Sequence, residues 1–164
     1  MSFVLKAIEA NREIYELIKC RDESFFSYYC LGAGGDRSLG VDLRAEEIFF
    51  KHLGEYGYFY SEESGVVGEG ECKIVLDPID GSDNFSTFFP YYGTSVARFS
   101  SDGKPMEAVI CNLANQDIFI KTDEFFKQGK LFGEEFFYVC KNQNSKVGIV
   151  RSEEHTSELQ SPNT

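Results

Sequence analysis

The chain has 164 residues, 42% of them hydrophobic and 15% aromatic, which is enough for one globular domain with a core and too apolar for a disordered chain. A formal net charge of -11 leaves no surplus of Lys and Arg to neutralise phosphates, which argues against nucleic acid or an anionic membrane surface as partner. No apolar run is long enough to span a bilayer, and the start mixes charges into its apolar residues, unlike a signal peptide, so a cytoplasmic location is expected.

In chain order, residues 3–19 carry Leu5, Ile8, Tyr15 and Ile18 near helical spacing, which predicts a helix with one buried stripe. "CLGAGGDRSLGVD", from Cys30 onward, reads as a Gly-rich loop. Asp42 is expected to cap a second helix, "DLRAEEIFFKHLG", with glutamates in its first turns, Phe49 and Leu53 at core spacing, and Gly54 as its stop. "YGYFYSEESG" predicts a short aromatic strand running into Glu62 and Glu63. "CKIVLDPID" predicts an apolar strand that ends at Pro78, which has no N–H for a ladder. A helix is expected to start after Gly81, and "GTSVARFS", "MEAVICNL" and "DIFIKT" then predict an antiparallel meander. Helices first and strands afterwards give an α+β class rather than a doubly wound sheet.

The five cysteines (Cys20, Cys30, Cys72, Cys111, Cys140) are scattered, odd in number and form no C-x-x-C pair, so reduced structural thiols are expected. The last stretch, "RSEEHTSELQSPNT", turns abruptly polar, and its first eleven residues resemble the translation of a common sequencing-library adapter. Residues 151–164 are therefore expected to be a non-native tail, and residues 1–150 an incomplete N-terminal domain of a longer protein.

The informative stretch is "DPIDGSDNF", where Asp77, Asp80 and Asp83 stand three apart with nothing basic nearby. Calcium EF-hand spacing fails: with Gly81 at loop position 6, Leu76 would fall at position 1. A D-x-D nucleophile motif fails as well. Asp36, Asp42, Glu62, Glu63 and Asp77 all fall at the ends of elements or beside a turn, where binding residues concentrate. Hard oxygen donors in this number suit Mg²⁺ or Mn²⁺. His52, the one histidine outside the tail, sits on a helix as a surface or packing residue, which leaves a metal-activated water as the expected nucleophile.

"DPIDGSDN", with "SEES" and "GGDRSLGVD" upstream, resembles the magnesium-dependent phosphatases of the inositol monophosphatase and fructose-1,6-bisphosphatase superfamily, over roughly residues 30–120 and in the right order. The resemblance implies a layered α/β sandwich, here its N-terminal helices and antiparallel meander sheet. It implies two or three Mg²⁺ ions, held by Glu62, Asp77, the Ile79 carbonyl and Asp80. Asp42 and Ser82 would position the attacking water, Asp36 and Glu63 would assist metal binding or proton transfer, and Gly81 and Ser82 would face phosphate. The implied substrate is a small polyol or sugar phosphate, of the inositol monophosphate or fructose-1,6-bisphosphate class. A nucleotide 3'-phosphatase of the same superfamily and a non-catalytic metal-binding fragment are the alternatives, and a homodimer is compatible with the family. Asp83 departs from the pattern, which has a small or neutral residue there. Intact members are longer, and their C-terminal half supplies a last metal ligand and most of the sugar-recognising residues. This chain is therefore expected to hold most of one metal site and to leave its strands without their covering layers.

Overall fold

The structure is a computed structural model and describes residues 2–33 and 37–139. Asp36, Cys140 and the 151–164 tail, each named in the sequence reading, lie outside the described residues.

Helix α1 (Phe3–Ile18) starts at Ser2, whose hydroxyl accepts from the Leu5 N–H. Its buried face is Phe3, Ala7, Ile14 and Ile18, spaced four, seven and four, together with Ile8 and Ala10. The expected stripe is rotated in part, because Leu5 is 51% exposed and Tyr15 only half-buried. Asn11 lies fully buried on that face, donating to the Ala7 carbonyl at 2.8 Å and accepting from Thr94 Oγ1 at 2.5 Å, which pins the helix to the sheet.

Residues 28–39, expected as loop, begin and end as strands: β1 (Tyr28–Leu31) pairs antiparallel with β2 (Arg37–Leu39). Helix α2 (Gly40–Leu53) then starts three residues earlier than expected, with Leu39 rather than Asp42 before it. Asp42 is not its cap but stands at the third helical position, where its Oδ2 accepts from the Leu39 N–H at 2.8 Å. Gly54 does not stop the chain's helical path. It takes ordinary right-handed angles and leads into one 3₁₀ turn (Gly54–Tyr56). The break comes at Gly57, with φ 153°, where a side chain would strike the Cys72 carbonyl at 2.2 Å.

The remaining strands are β3 (Tyr58–Ser61), β4 (Gly65–Val67), β5 (Lys73–Asp80), β6 (Gly93–Phe99), β7 (Pro105–Asn112), β8 (Asp117–Lys121), β9 (Phe126–Lys130) and β10 (Phe136–Tyr138). They form one sheet in the order β10-β9-β8-β7-β6-β5-β3-β4. Every pair is antiparallel except β3 with β5. Alternation sets the faces. Ile74, Leu76, Val96, Val109, Cys111, Ile118 and Ile120 are buried under α1 and α2, while Tyr60, Ile110 and Phe137 on the opposite face are more than half exposed. The expected open sheet face is thus present.

Strand β5 does not end at Pro78. Its pairing with β3 stops at Leu76, and its pairing with β6 skips from Asp77↔Ser95 to Asp80↔Gly93. Proline sits inside that irregularity, where no ladder bond is asked of it. The polar, lysine-bearing β9 and the short edge strand β10 were not foreseen, since neither carries a clear apolar alternation.

Candidate metal and phosphate site

Three elements bring the acids together at one end of the sheet. The β3–β4 hairpin pairs Ser61 with Gly65 and leaves Glu62, Glu63 and Ser64 as its turn, with Gly65 at φ 68°. The irregular end of β5 carries Asp77, Ile79 and Asp80. The first turn of α2 carries Asp42, buried to 2% exposure.

Gly81 follows β5 in the left-handed region, φ 85°, and turns the chain into the short helix α3 (Ser82–Ser86). The Ile79 side chain is buried and Phe85 of α3 is buried beside Phe26 and Tyr92, so the loop between them is anchored on both sides. Ser82 is half-exposed at the open end of α3.

Electrostatics show how close the acids are. Asp42 is pushed up to about 8, first by burial and then by the charge of Glu63, against the Leu39 N–H, with Glu62 and Asp83 adding to the rise. Asp77 is raised well above the usual carboxylate range by burial, by the charges of Glu62 and Asp80, and by its hydrogen bond with Glu62. Asp42 Oδ1 and Asp77 Oδ1 are buried with no hydrogen-bond partner. No lysine or arginine is among the causes of either shift, although the chain has 16 of them. Arg44, two residues from Asp42, pairs with Glu47 instead at 2.5 Å.

These observations fit a divalent cation. The donors are all carboxyl oxygens, two of them are orphaned, and burial and their mutual repulsion raise Asp42 and Asp77. Among the described residues no three His, Cys, Asp or Glu side chains converge on a common point as they stand.

Of the residues singled out from sequence, Asp42, Glu62, Glu63, Asp77 and Asp80 fall into this one cluster, with Gly81 and Ser82 beside it. Asp83 gains an account: its carboxyl accepts from the Tyr28 hydroxyl at 3.3 Å, tying α3 to β1, and its charge reaches Asp42. His52 is a packing residue, 2.7 Å from Glu13 of α1. Cys20, Cys72 and Cys111 are free thiols, and burial pushes Cys111 up to about 12, which makes it unreactive.

Sequence reasoning missed the residues that hold the acids. Ser38 of β2 donates to Glu63 Oε2. Glu46 of α2, only 3% exposed, accepts from the Ser64 N–H at 3.1 Å and from Ser64 Oγ at 2.5 Å. The signal for Glu46 was its position four residues after Asp42, which places both on one face of α2.

The sequence profile of the inositol monophosphatase family matches residues 35–164. Among curated proteins, the chain is similar to a fructose-1,6-bisphosphatase of Pyrococcus furiosus, 38% identical over 82 residues that cover 49% of this chain and 32% of the relative. It is also similar to an inositol-1-monophosphatase of Mesorhizobium japonicum, 31% identical over 90 residues, 52% of this chain and 34% of the relative. Among solved structures it resembles the extragenic suppressor protein suhB of Bartonella henselae, with a TM-score of 0.64 and 25% identity over 76% of this chain and 52% of that one. The chain thus spans a third or so of the curated relatives it matches and half of that solved chain.

Proposed function

The chain belongs to the inositol monophosphatase family, and on that premise we propose that it forms the metal- and phosphate-binding part of a Mg²⁺-dependent phosphomonoesterase acting on a small polyol or sugar phosphate. The observation that carries the reading is the pair of buried acids Asp42 and Asp77, each raised by burial and by neighbouring carboxylates and each with an orphaned oxygen. Two names among the relatives, fructose-1,6-bisphosphatase and inositol-1-monophosphatase, support the substrate class.

Glu62, Asp77, Asp80 and the Ile79 carbonyl are the groups that would hold Mg²⁺, with Mn²⁺ as a substitute. When bound, the ions supply charge neutralisation at the phosphoryl group and acidify a water. Asp42 and the Ser82 hydroxyl would orient the attacking water by hydrogen bonding, which would spare the loss of orientational freedom at the moment of attack. Glu63 and Asp36 are assigned to assisting metal binding or proton transfer. Gly81, lacking a side chain, lets phosphate approach the backbone at the start of α3, beside the Ser82 hydroxyl.

Phosphate release from inositol 1-phosphate and fructose 1,6-bisphosphate, measured with and without Mg²⁺, tests the proposal. Asp77→Asn and Glu62→Gln are each expected to lower turnover by ~10²-fold or more. Turnover unchanged in both variants would sink it. Mn²⁺ binding without hydrolysis by the 164-residue chain would favour the reading as a non-catalytic metal-binding fragment instead.

A further inference from the structure

The turn that carries Glu62 and Glu63 belongs to a hairpin whose outer strand, β4, is the edge of the sheet. A three-residue turn at a sheet edge has few neighbours to hold it, and an acidic one repels itself. Several contacts fix this turn. The Glu62 N–H donates to the Leu76 carbonyl of β5 at 3.1 Å, the Ala33 N–H donates to the Glu63 carbonyl at 2.8 Å, Ser64 is held by Glu46, and the Ser38 hydroxyl of β2 donates to Glu63 Oε2. The first two contacts come from backbone and set only the path of the chain. The third comes from a side chain buried in the helix layer, and it uses both carboxyl oxygens on a single residue.

Burying an acid is costly unless its oxygens are satisfied, and at Glu46, only 3% exposed, both are satisfied by Ser64. Glu46 lies one helical turn beyond Asp42 on the same face of α2. The helix that presents Asp42 therefore also fixes, through Glu46 and Ser64, where Glu62 and Glu63 stand relative to it.

We propose that Glu46 is a positioning residue for the metal site: it does not touch the ion but holds the Glu62–Ser64 turn in register with Asp42 and Asp77. Both of its oxygens are taken by Ser64, so it acts through that residue. The inference rests on the metal-binding reading above. Outer-layer groups of this kind typically change metal affinity 10- to 100-fold when removed.

Mn²⁺ binding to the 164-residue chain, followed by electron paramagnetic resonance titration, tests the inference without requiring turnover. Glu46→Ala is expected to weaken Mn²⁺ binding about tenfold or more. Glu46→Gln keeps an acceptor for the Ser64 N–H and should recover most of the loss. Ser64→Ala, which removes only the hydroxyl contact, should weaken binding by roughly threefold, and it carries the test if Glu46→Ala does not fold. A remote core variant, Ile118→Ala, should lower the melting temperature and leave Mn²⁺ affinity unchanged, which separates positioning from general destabilisation. Wild-type chain that binds Mn²⁺ while Glu46→Ala, or failing that Ser64→Ala, binds equally well overturns the role of Glu46. Wild-type chain that binds no Mn²⁺ overturns the metal reading itself, and this inference with it.

Discussion

The two ends of helix α2 treat carboxyl groups in opposite ways. At the C-terminal end, Lys51 and His52 reach Glu13 of α1 at 2.8 and 2.7 Å, and these partners, His52 foremost, hold Glu13 below the ordinary carboxylate range. At the N-terminal end, Asp42 enjoys the favourable end of the helix dipole and the Leu39 N–H, yet burial and Glu63 push it up to about 8. Dipole effects of ~0.3–1 kcal/mol cannot offset a shift of that size, since each pKa unit is worth about 1.4 kcal/mol. One end is a finished ion pair made from the chain's own residues. The other is a surplus of acids, and among the described residues Lys6 and Arg98 pair elsewhere, with Glu9 and Glu107.

The largest expected effect lies between the two ends. Phe49, fully buried in the middle of α2, seats the whole helix on the sheet. Phe49→Ala should cost about 3–5 kcal/mol in denaturant unfolding and weaken both ends together. A loss below ~1 kcal/mol would mean that the ends are held independently of the helix between them.

Asp42→Asn sharpens the contrast. Replacing the frustrated acid by a neutral isostere keeps an acceptor for the Leu39 N–H and removes the cost of burying a group that must retain a proton. The metal-free protein should gain roughly 1–3 kcal/mol while its Mn²⁺ affinity falls. Equal losses of stability and affinity would show that Asp42 is a structural group with no reserved role.

The two ends should also answer pH with opposite sign. Asp42 has a folded value near 8 against an ordinary 3.8, so between those limits the folded state keeps a proton that the unfolded chain has lost. Its contribution is fully present below the ordinary value and is lost as pH rises through about 8. Glu13 is lowered from an ordinary 4.5, so its contribution is present above that value and lost as pH falls toward its folded one. Unfolding in chelator at pH 5, 7 and 9 should show stability declining toward pH 9, and Mg²⁺ should flatten the decline. Stability rising across that range would remove the electrostatic argument for a cation site.

The same contrast explains what could be read from the sequence. The helix and strand runs, the α+β class and the acids at element ends were legible because burial imposes a period on apolar residues and because an Asp-Pro-Ile-Asp-Gly string has few other uses. Asp42 was misplaced as a cap because its bond to the Leu39 N–H is the mirror of a cap bond, and only coordinates show which residue begins the helix. Glu46 read only as one of the glutamates in the first turns of the second helix, since sequence does not reveal that its oxygens close on Ser64. Strand β5 continued past Pro78 because its partner strand skips the residues that lack a ladder bond, a tertiary accommodation that proline alone does not announce.

The smallest expected effect tests whether the two ends of α2 are truly separate. Glu13→Gln breaks the pair with the exposed Lys51 and the part-buried His52 and should cost about 1 kcal/mol, less in high salt. Mn²⁺ affinity should not change, because the lost charge lies at the far end of the helix from Asp42 and salt screens what little field remains. A shift in Mn²⁺ affinity would mean that the ion pair sets how α2 sits on the sheet, and hence where Asp42 and Glu46 present their oxygens. In that case the acid surplus at one end is positioned by the ion pair at the other, and the helix acts as a single lever rather than as two unrelated ends.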